Sequence, residues 1–179
     1  DRLLQAENGA YPFLPPNAKP GKKPLHAAGA YYVQEPAAAA VSRMILPFLP
    51  PHARVLDMCA APGGKATAVG CERPDCELLA NEVVFARAKI LLQNVERLGI
   101  SSCTVTCLPA HEIARIGAGL FDAVIADVPC SGEGMVRKTD FGTAELNDDG
   151  VAACAVRARK ILDECDACLK TGGVLLFST

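Results

Sequence analysis

Residues 54–70 read RVLDMCAAPGGKATAVG, and they change character three times. Arg54–Met58 is a short apolar strand that carries Asp57 at its end. A turn of small residues and glycines follows, where a backbone without bulky side chains can bend sharply. A helix then runs through Val69. The same strand–turn–helix unit repeats on either side. Glu77–Asn81 is a second strand ending at Glu82, and Val84, Ala88, Leu91, Leu92, Val95 and Leu98 recur at helical spacing before Gly99. Cys103–Cys107 reads as a third strand. Phe121–Asp127 reads as a fourth, a near-continuous apolar run of the kind that is buried on both faces. Ala155, Ala158, Ile161, Leu162, Cys165 and Leu169 mark a long amphipathic helix that Gly172-Gly173 should end, leaving Val174–Ser178 as a fifth strand. Such alternation predicts an α/β fold, a doubly wound, mostly parallel sheet that binds ligands at the carboxyl ends of its strands.

Outside this region, Glu35-Pro36 opens an Ala-rich helix that runs to about Phe48 and is stopped by Pro50-Pro51. Residues 1–30, rich in Pro, Gly and Lys, read as an irregular, mobile lead-in, and residues 31–179 as one core. The chain begins at Asp1 without Met and ends at Thr179 directly after apolar Val174–Phe177, which reads as a piece of a longer protein. Its 179 residues suffice for a sizeable core. With 18 Lys+Arg against 20 Asp+Glu it is not a globally basic nucleic-acid binder, although a local patch is compatible with that balance. Half the residues are hydrophobic and mean hydropathy is +0.20, yet every apolar run is cut well before membrane-spanning length. Nine cysteines scattered through apolar segments, with no secretory signal in view, read as reduced, cytoplasmic thiols.

Three constellations carry chemistry. Asp57-Met58-Cys59-Ala60-Ala61-Pro62-Gly63-Gly64-Lys65 joins a strand to a helix whose N-terminal N–H groups suit a negative ligand group. It matches neither the dinucleotide glycine fingerprint nor the phosphate-binding P-loop; the plain alternative is a tight structural turn. Asn81-Glu82 sets an acid at a strand end, where it would accept hydrogen bonds from ribose hydroxyls or simply cap the next helix. Asp127-Val128-Pro129-Cys130-Ser131-Gly132-Glu133-Gly134 brings together a carboxylate able to hydrogen-bond a ring nitrogen and a thiol able to act as nucleophile or base. The alternative there is a Pro/Gly-rich loop after a core strand.

Together the DMCAAPGGK, NE, DVPCSGEGMVRK and GGVLLFST stretches resemble the S-adenosylmethionine-dependent RNA 5-methylcytosine methyltransferases of the Nol1/Nop2/Sun group, over roughly residues 25–179. The segment Ala28–Pro36 is similar to the one preceding the catalytic domain in bacterial ribosomal-RNA members. The resemblance implies a Rossmann-like class I methyltransferase fold and S-adenosyl-L-methionine as cofactor. Cys59, Ala60, Ala61, Pro62, Gly63, Gly64 and Lys65 would wrap its methionine part, Glu82 would hold its ribose, and Arg87 would sit near the adenosine. Asp127 would touch both the cofactor's amino end and the target cytosine, and Cys130 would assist release of the methylated product. The thiol that attacks cytosine C6 belongs, in the family, to a Thr-Cys motif that here begins at Ser178-Thr179. An acid after the third strand usually serves the adenine side; Leu108-Pro109-Ala110-His111-Glu112 supplies no Asp, so backbone groups or Glu112 would substitute.

For RNA, Arg137 and Lys138 follow the active-site loop directly, and Lys19, Lys22 and Lys23 are further phosphate contacts, with ordinary solvated surface as the alternative. The partner implied is ribosomal RNA, with no membrane and no metal, and the chain is expected to be a monomer. No cysteines assemble the paired spacing of a zinc site; they read as buried small hydrophobes, and His111 as a loop residue. The rival readings are a DNA cytosine-C5 methyltransferase using Cys130 as nucleophile, and a cofactor- or RNA-binding module without turnover.

Overall fold

Strands β1 (Arg54–Asp57), β2 (Glu77–Asn81), β3 (Cys103–Thr106), β4 (Phe121–Asp127) and β5 (Leu169–Ser178) form one five-stranded sheet in the order β3-β2-β1-β4-β5, every pair parallel. The computed structural model describes residues 19–34, 36–128 and 148–179. The helices are α1 (Pro24–Ala27), α2 (Pro36–Met44), α3 (Gly64–Glu72), α4 (Phe85–Arg97), α5 (Ala110–Gly117) and α6 (Asp148–Cys168). The predicted doubly wound architecture is the observed one.

Strand periodicity divides the interior into two layers. Val55, Leu78, Ala80, Ala123 and Ile125 point to one face and pack with Ala66 and Val69 of α3 and Leu91 and Val95 of α4. Leu56, Val124 and Ala126 point to the other and pack with Ile113 of α5 and Cys165 and Cys168 of α6. Val55, Leu56, Val124 and Ile125 are fully buried, and at about 1.5–3 kcal/mol for each such side chain they make β1 and β4 the firmest part of the sheet. The strand order reverses between these two, which is where a ligand crevice opens in this class of sheet.

Three expectations are corrected. Gly172-Gly173 does not end the long helix: α6 stops at Cys168, and the glycines lie inside β5. Leu169 already pairs with Phe121, and β5 then advances to Val174 while β4 advances only to Ala123, so the glycines occupy an irregular stretch of the ladder. A Cβ on Gly173 would lie 3.1 Å from the Asp122 carbonyl oxygen, a contact only glycine makes easily. His111 is not a loop residue but stands in the first turn of α5. The lead-in is organised from Lys19 onward, with a 3-10 turn at Pro20–Lys22 and the single turn α1.

The cysteines divide. All those described carry free thiols, with Cys76, Cys165 and Cys168 buried as expected but Cys71 and Cys107 exposed. Among the described residues no cluster of His, Cys, Asp and Glu could hold a metal ion, and no helix is long and apolar enough to cross a membrane.

Candidate functional site

The loop leaving β1 is stitched to both neighbouring strands. Met58 N–H donates to the Ile125 carbonyl at 2.9 Å, and Ala60 N–H to the Asn81 carbonyl at 2.8 Å. The buried Asn81 side chain completes the seam. Its Nδ2 donates to the carbonyls of Met58 (3.2 Å) and Leu108 (3.0 Å), and its Oδ1 accepts from Thr106 Oγ1 (2.9 Å) and Leu108 N–H (3.1 Å). Both donors and both lone pairs of one amide are thus used. From the far side α4 holds the loop, with Arg87 Nη2 donating to the Ala61 carbonyl and Asn94 Nδ2 to the Pro62 carbonyl, each at 2.9 Å.

Beside this loop lies a cavity of about 260 Å³, walled by Cys59–Pro62, Gly64 and Lys65, by Asp57 and Asp127 at the strand ends, and by Tyr32–Gln34 and Ala38 across from them. Asp57 is 1% exposed, and neither carboxylate oxygen has a hydrogen-bond partner. The backbone N–H groups of Cys59 and Ala66 lie near enough to favour its ionised form weakly. Burial above all, and then the nearby Asp127, push its pKa up to about 7 against the pull of Lys65. Lys65 Nζ lies 2.6 Å from Asp127 Oδ2, and Ser178 Oγ donates to Asp127 Oδ1 at 2.7 Å. The ammonium is thus taken by Asp127, and Asp57 is left without a bonded cation beside the cavity. Cys59, also in the wall, is pushed up to about 12, chiefly by burial and then by Asp57, so its thiol stays protonated and is no nucleophile.

Residues 45–179, well over half the chain, match the sequence profile of the family described as 16S rRNA methyltransferase RsmB/F. The chain belongs to this family. It is 31% identical over 182 aligned residues to ribosomal RNA small subunit methyltransferase F of Shewanella piezotolerans, an alignment covering all of this chain and 38% of that protein. The chain thus spans less than half the length of that relative. Among solved structures it is similar to PH0851 (TM-score 0.78, 29% identity, 87% of this chain and 35% of the other). It is also similar to a methyltransferase homolog protein from Pyrococcus horikoshii (TM-score 0.72, 26% identity, 89% of this chain and 49% of the other).

In this RsmB/F-family chain the expected cofactor loop, Lys65 and Asp127 meet at one cavity. Gly63 is the exception in the loop. It is the residue before α3, with φ +114°, a left-handed conformation, and a Cβ there would face Leu91 Cδ1 at 3.1 Å, toward the core, while Gly63 does not line the cavity. Gly64 is the glycine that faces the cavity, since its Cβ would meet Gln34 Nε2 at 2.7 Å. Glu82 is 3% exposed, its Oε1 accepting from Val84 N–H at 2.9 Å and its Oε2 lying 3.4 Å from Arg87 Nη1. It braces the residue that precedes α4 from a buried position, and it stands outside the cavity wall. Glu112 is engaged by Arg115 Nη2 at 2.9 Å on the surface and does not line the cavity. Lys19, Lys22 and Lys23 are exposed. Cys130, Arg137 and Lys138 lie outside the described residues.

Sequence reasoning assigned no role to Asp57, Asn81, Tyr32, Gln34 or Ser178. All five stood within or beside the quoted motifs. What the sequence lacked was any signal that Asp57 would be buried without a partner, or that the lead-in would fold back onto the loop.

Proposed function

We propose that the chain is the catalytic core of an S-adenosylmethionine-dependent methyltransferase acting on C5 of cytosine in RNA, with small-subunit ribosomal RNA as substrate. The observation that carries the reading is the buried, unpartnered carboxylate of Asp57 facing a cavity at the α3 N-terminus. A ligand with a cationic amino end beside a carboxylate fits that pairing: Asp57 complements the cation, and the free N–H groups of α3 the anion. Cys59–Lys65 would hold the methionine end, and Glu82 and Arg87 the ribose and adenosine. When bound, the cofactor supplies an electrophilic sulfonium methyl group.

The chain's own groups do the rest. Asp127, held between Lys65 and Ser178, would accept from the cytosine exocyclic amino group and, in its protonated form, donate its proton to N3, which polarises the ring. A thiolate, which the family resemblance puts directly after Thr179, adds to C6 and makes C5 nucleophilic. After methyl transfer C5 loses its proton, the S–C6 bond breaks, and Cys130 assists that release. Arg137 and Lys138 hold the RNA backbone, and the target base must leave its stack to enter. Work on ribosomal RNA would locate the protein in the cytoplasm.

The test uses the full-length protein with 5-fluorocytosine RNA, in which fluorine stands where the C5 proton would have to leave, so that a covalent adduct persists on a denaturing gel. Cys130→Ser should still form the adduct, and Asp127→Asn should suppress it. Loss of the adduct in Cys130→Ser alone would make Cys130 the attacking thiol. Failure to transfer methyl groups to any RNA would sink the reading.

A further inference from the structure

The wall of the cavity opposite the β1–α3 loop comes from residues 32–34, which follow the lead-in, and from Ala38 of α2. On the α2 side Gln34 Nε2 donates to Ser42 Oγ at 3.4 Å; the other anchor is on α4. Arg97, in the last turn of α4, donates from Nη1 to the carbonyls of His26 (2.8 Å) and Tyr31 (3.0 Å). Its Nη2 donates to Asn94 Oδ1 at 3.1 Å, and Asn94 in turn donates to the Pro62 carbonyl at 2.9 Å. One planar, fork-shaped guanidinium therefore ties the lead-in directly and the ligand loop through a single amide. Those are the two facing walls of the same cavity. At Gly29 the lead-in backbone runs against the α4 backbone: φ is +76°, and a Cβ would fall 1.9 Å from the Arg97 carbonyl oxygen. The lead-in is braced on itself as well, with Tyr31 Oη donating to the Pro20 carbonyl at 2.8 Å and the His26 and Tyr31 rings 5.6 Å apart. Beyond these anchors the strap reaches the cavity with Tyr32 and Gln34, where the Gln34 amide sits next to Gly64 at the start of α3.

We infer that residues 31–34 are part of the cofactor site and that Arg97 is the positioning residue that fixes their distance from the β1–α3 loop. The inference rests on reading this cavity as the end of the site that takes the cofactor's amino-acid moiety. Arg97 itself does not line the cavity. Its effect must therefore be selective. Moving the strap should weaken a ligand that carries the amino-acid end and spare one that lacks it, whereas a general loosening of the fold would weaken both.

Isothermal titration calorimetry with S-adenosylhomocysteine and with 5′-methylthioadenosine, which has no amino-acid end, separates these cases. Arg97→Gln and Gly29→Ala should each lower affinity for S-adenosylhomocysteine by about tenfold, with affinity for 5′-methylthioadenosine held within about twofold. Gln34→Ala changes the wall while leaving its anchor on α4 in place, and it should show the same selectivity even if the anchor variants fold poorly. Unchanged S-adenosylhomocysteine affinity in Gln34→Ala, or equal loss for both ligands in every variant, would overturn the role of the strap. Absence of S-adenosylhomocysteine binding by the unaltered chain is a different failure, and it would overturn the cofactor reading itself.

Discussion

Asp57 is a buried carboxyl group without a hydrogen-bond partner, and its burial has a pH signature. Its carboxyl titrates near 7 in the folded chain, against 3.8 for an ordinary Asp. A pKa raised by folding means that the native state holds the proton more tightly than the unfolded state. The associated stability is therefore fully present below about pH 4 and is lost as pH rises through 7. An upper bound is about 4 kcal/mol, from roughly three pH units at about 1.4 kcal/mol each. Thermal melts of the ligand-free chain at pH 5 and pH 8 should differ more than those of Asp57→Asn, which has no charge to bury. Equal pH dependence in the two proteins would show that water or a neighbouring group already solvates the carboxylate. A cationic ligand reverses the preference, since it stabilises the ionised form. The burial that costs stability in the free chain is thus what prepares the site to discriminate charge.

At the scale of elements, the carboxyl ends of β1, β2 and β3 are held by one side chain. Asn81→Leu is close in volume but removes four hydrogen bonds and leaves Thr106, Met58 and both backbone groups of Leu108 short of a partner inside the protein. Urea denaturation should show a loss of about 2–4 kcal/mol. A loss below about 0.5 kcal/mol, the level of a surface change, would mean that the strand ends are held by the ladder alone. The elements differ in how plainly the sequence announced them. Phe121–Asp127 and Glu77–Asn81 were legible to the residue, because strands covered by helices on both faces demand uninterrupted apolar runs. Helix α5 was not. It spans Ala110–Gly117, enters from Pro109, and has only Ile113 and Gly117 fully buried, too short a pattern to establish a period. The start of β5 was hidden for another reason. Two glycines ordinarily end a helix, but here they stand within a strand, Gly172 for its left-handed φ of +82° and Gly173 for its close approach to the Asp122 backbone.

For the molecule as a whole, the motifs and their order announced the sheet and the ligand loop, while contacts between distant segments were not legible. The strap of residues 31–34 is held against the cavity in part by Arg97, 66 residues further along the chain from Tyr31, which binds its backbone, and carbonyl acceptors leave no mark in a sequence. The same distinction governs RNA binding. A net charge of -2 provides no general attraction to a polyanion, so affinity for RNA must come from a local concentration of cations. Under the proposed function Lys19, Lys22 and Lys23 would supply one, since all three are exposed at the turn that precedes α1, and α1 is fixed to α4 through the bond from Arg97 to the His26 carbonyl. Each phosphate neutralised on single-stranded RNA contributes about 0.7 to the slope of log affinity against log salt. Replacing all three lysines with alanine should therefore reduce that slope by about 2, measured by fluorescence anisotropy on a small-subunit rRNA fragment across a salt series. S-adenosylhomocysteine affinity should stay as it was, because none of the three lines the cavity. A slope unchanged by the triple replacement would leave the lysines as ordinary surface. The electrostatic contact with RNA would then rest on Arg137 and Lys138, beside the catalytic loop.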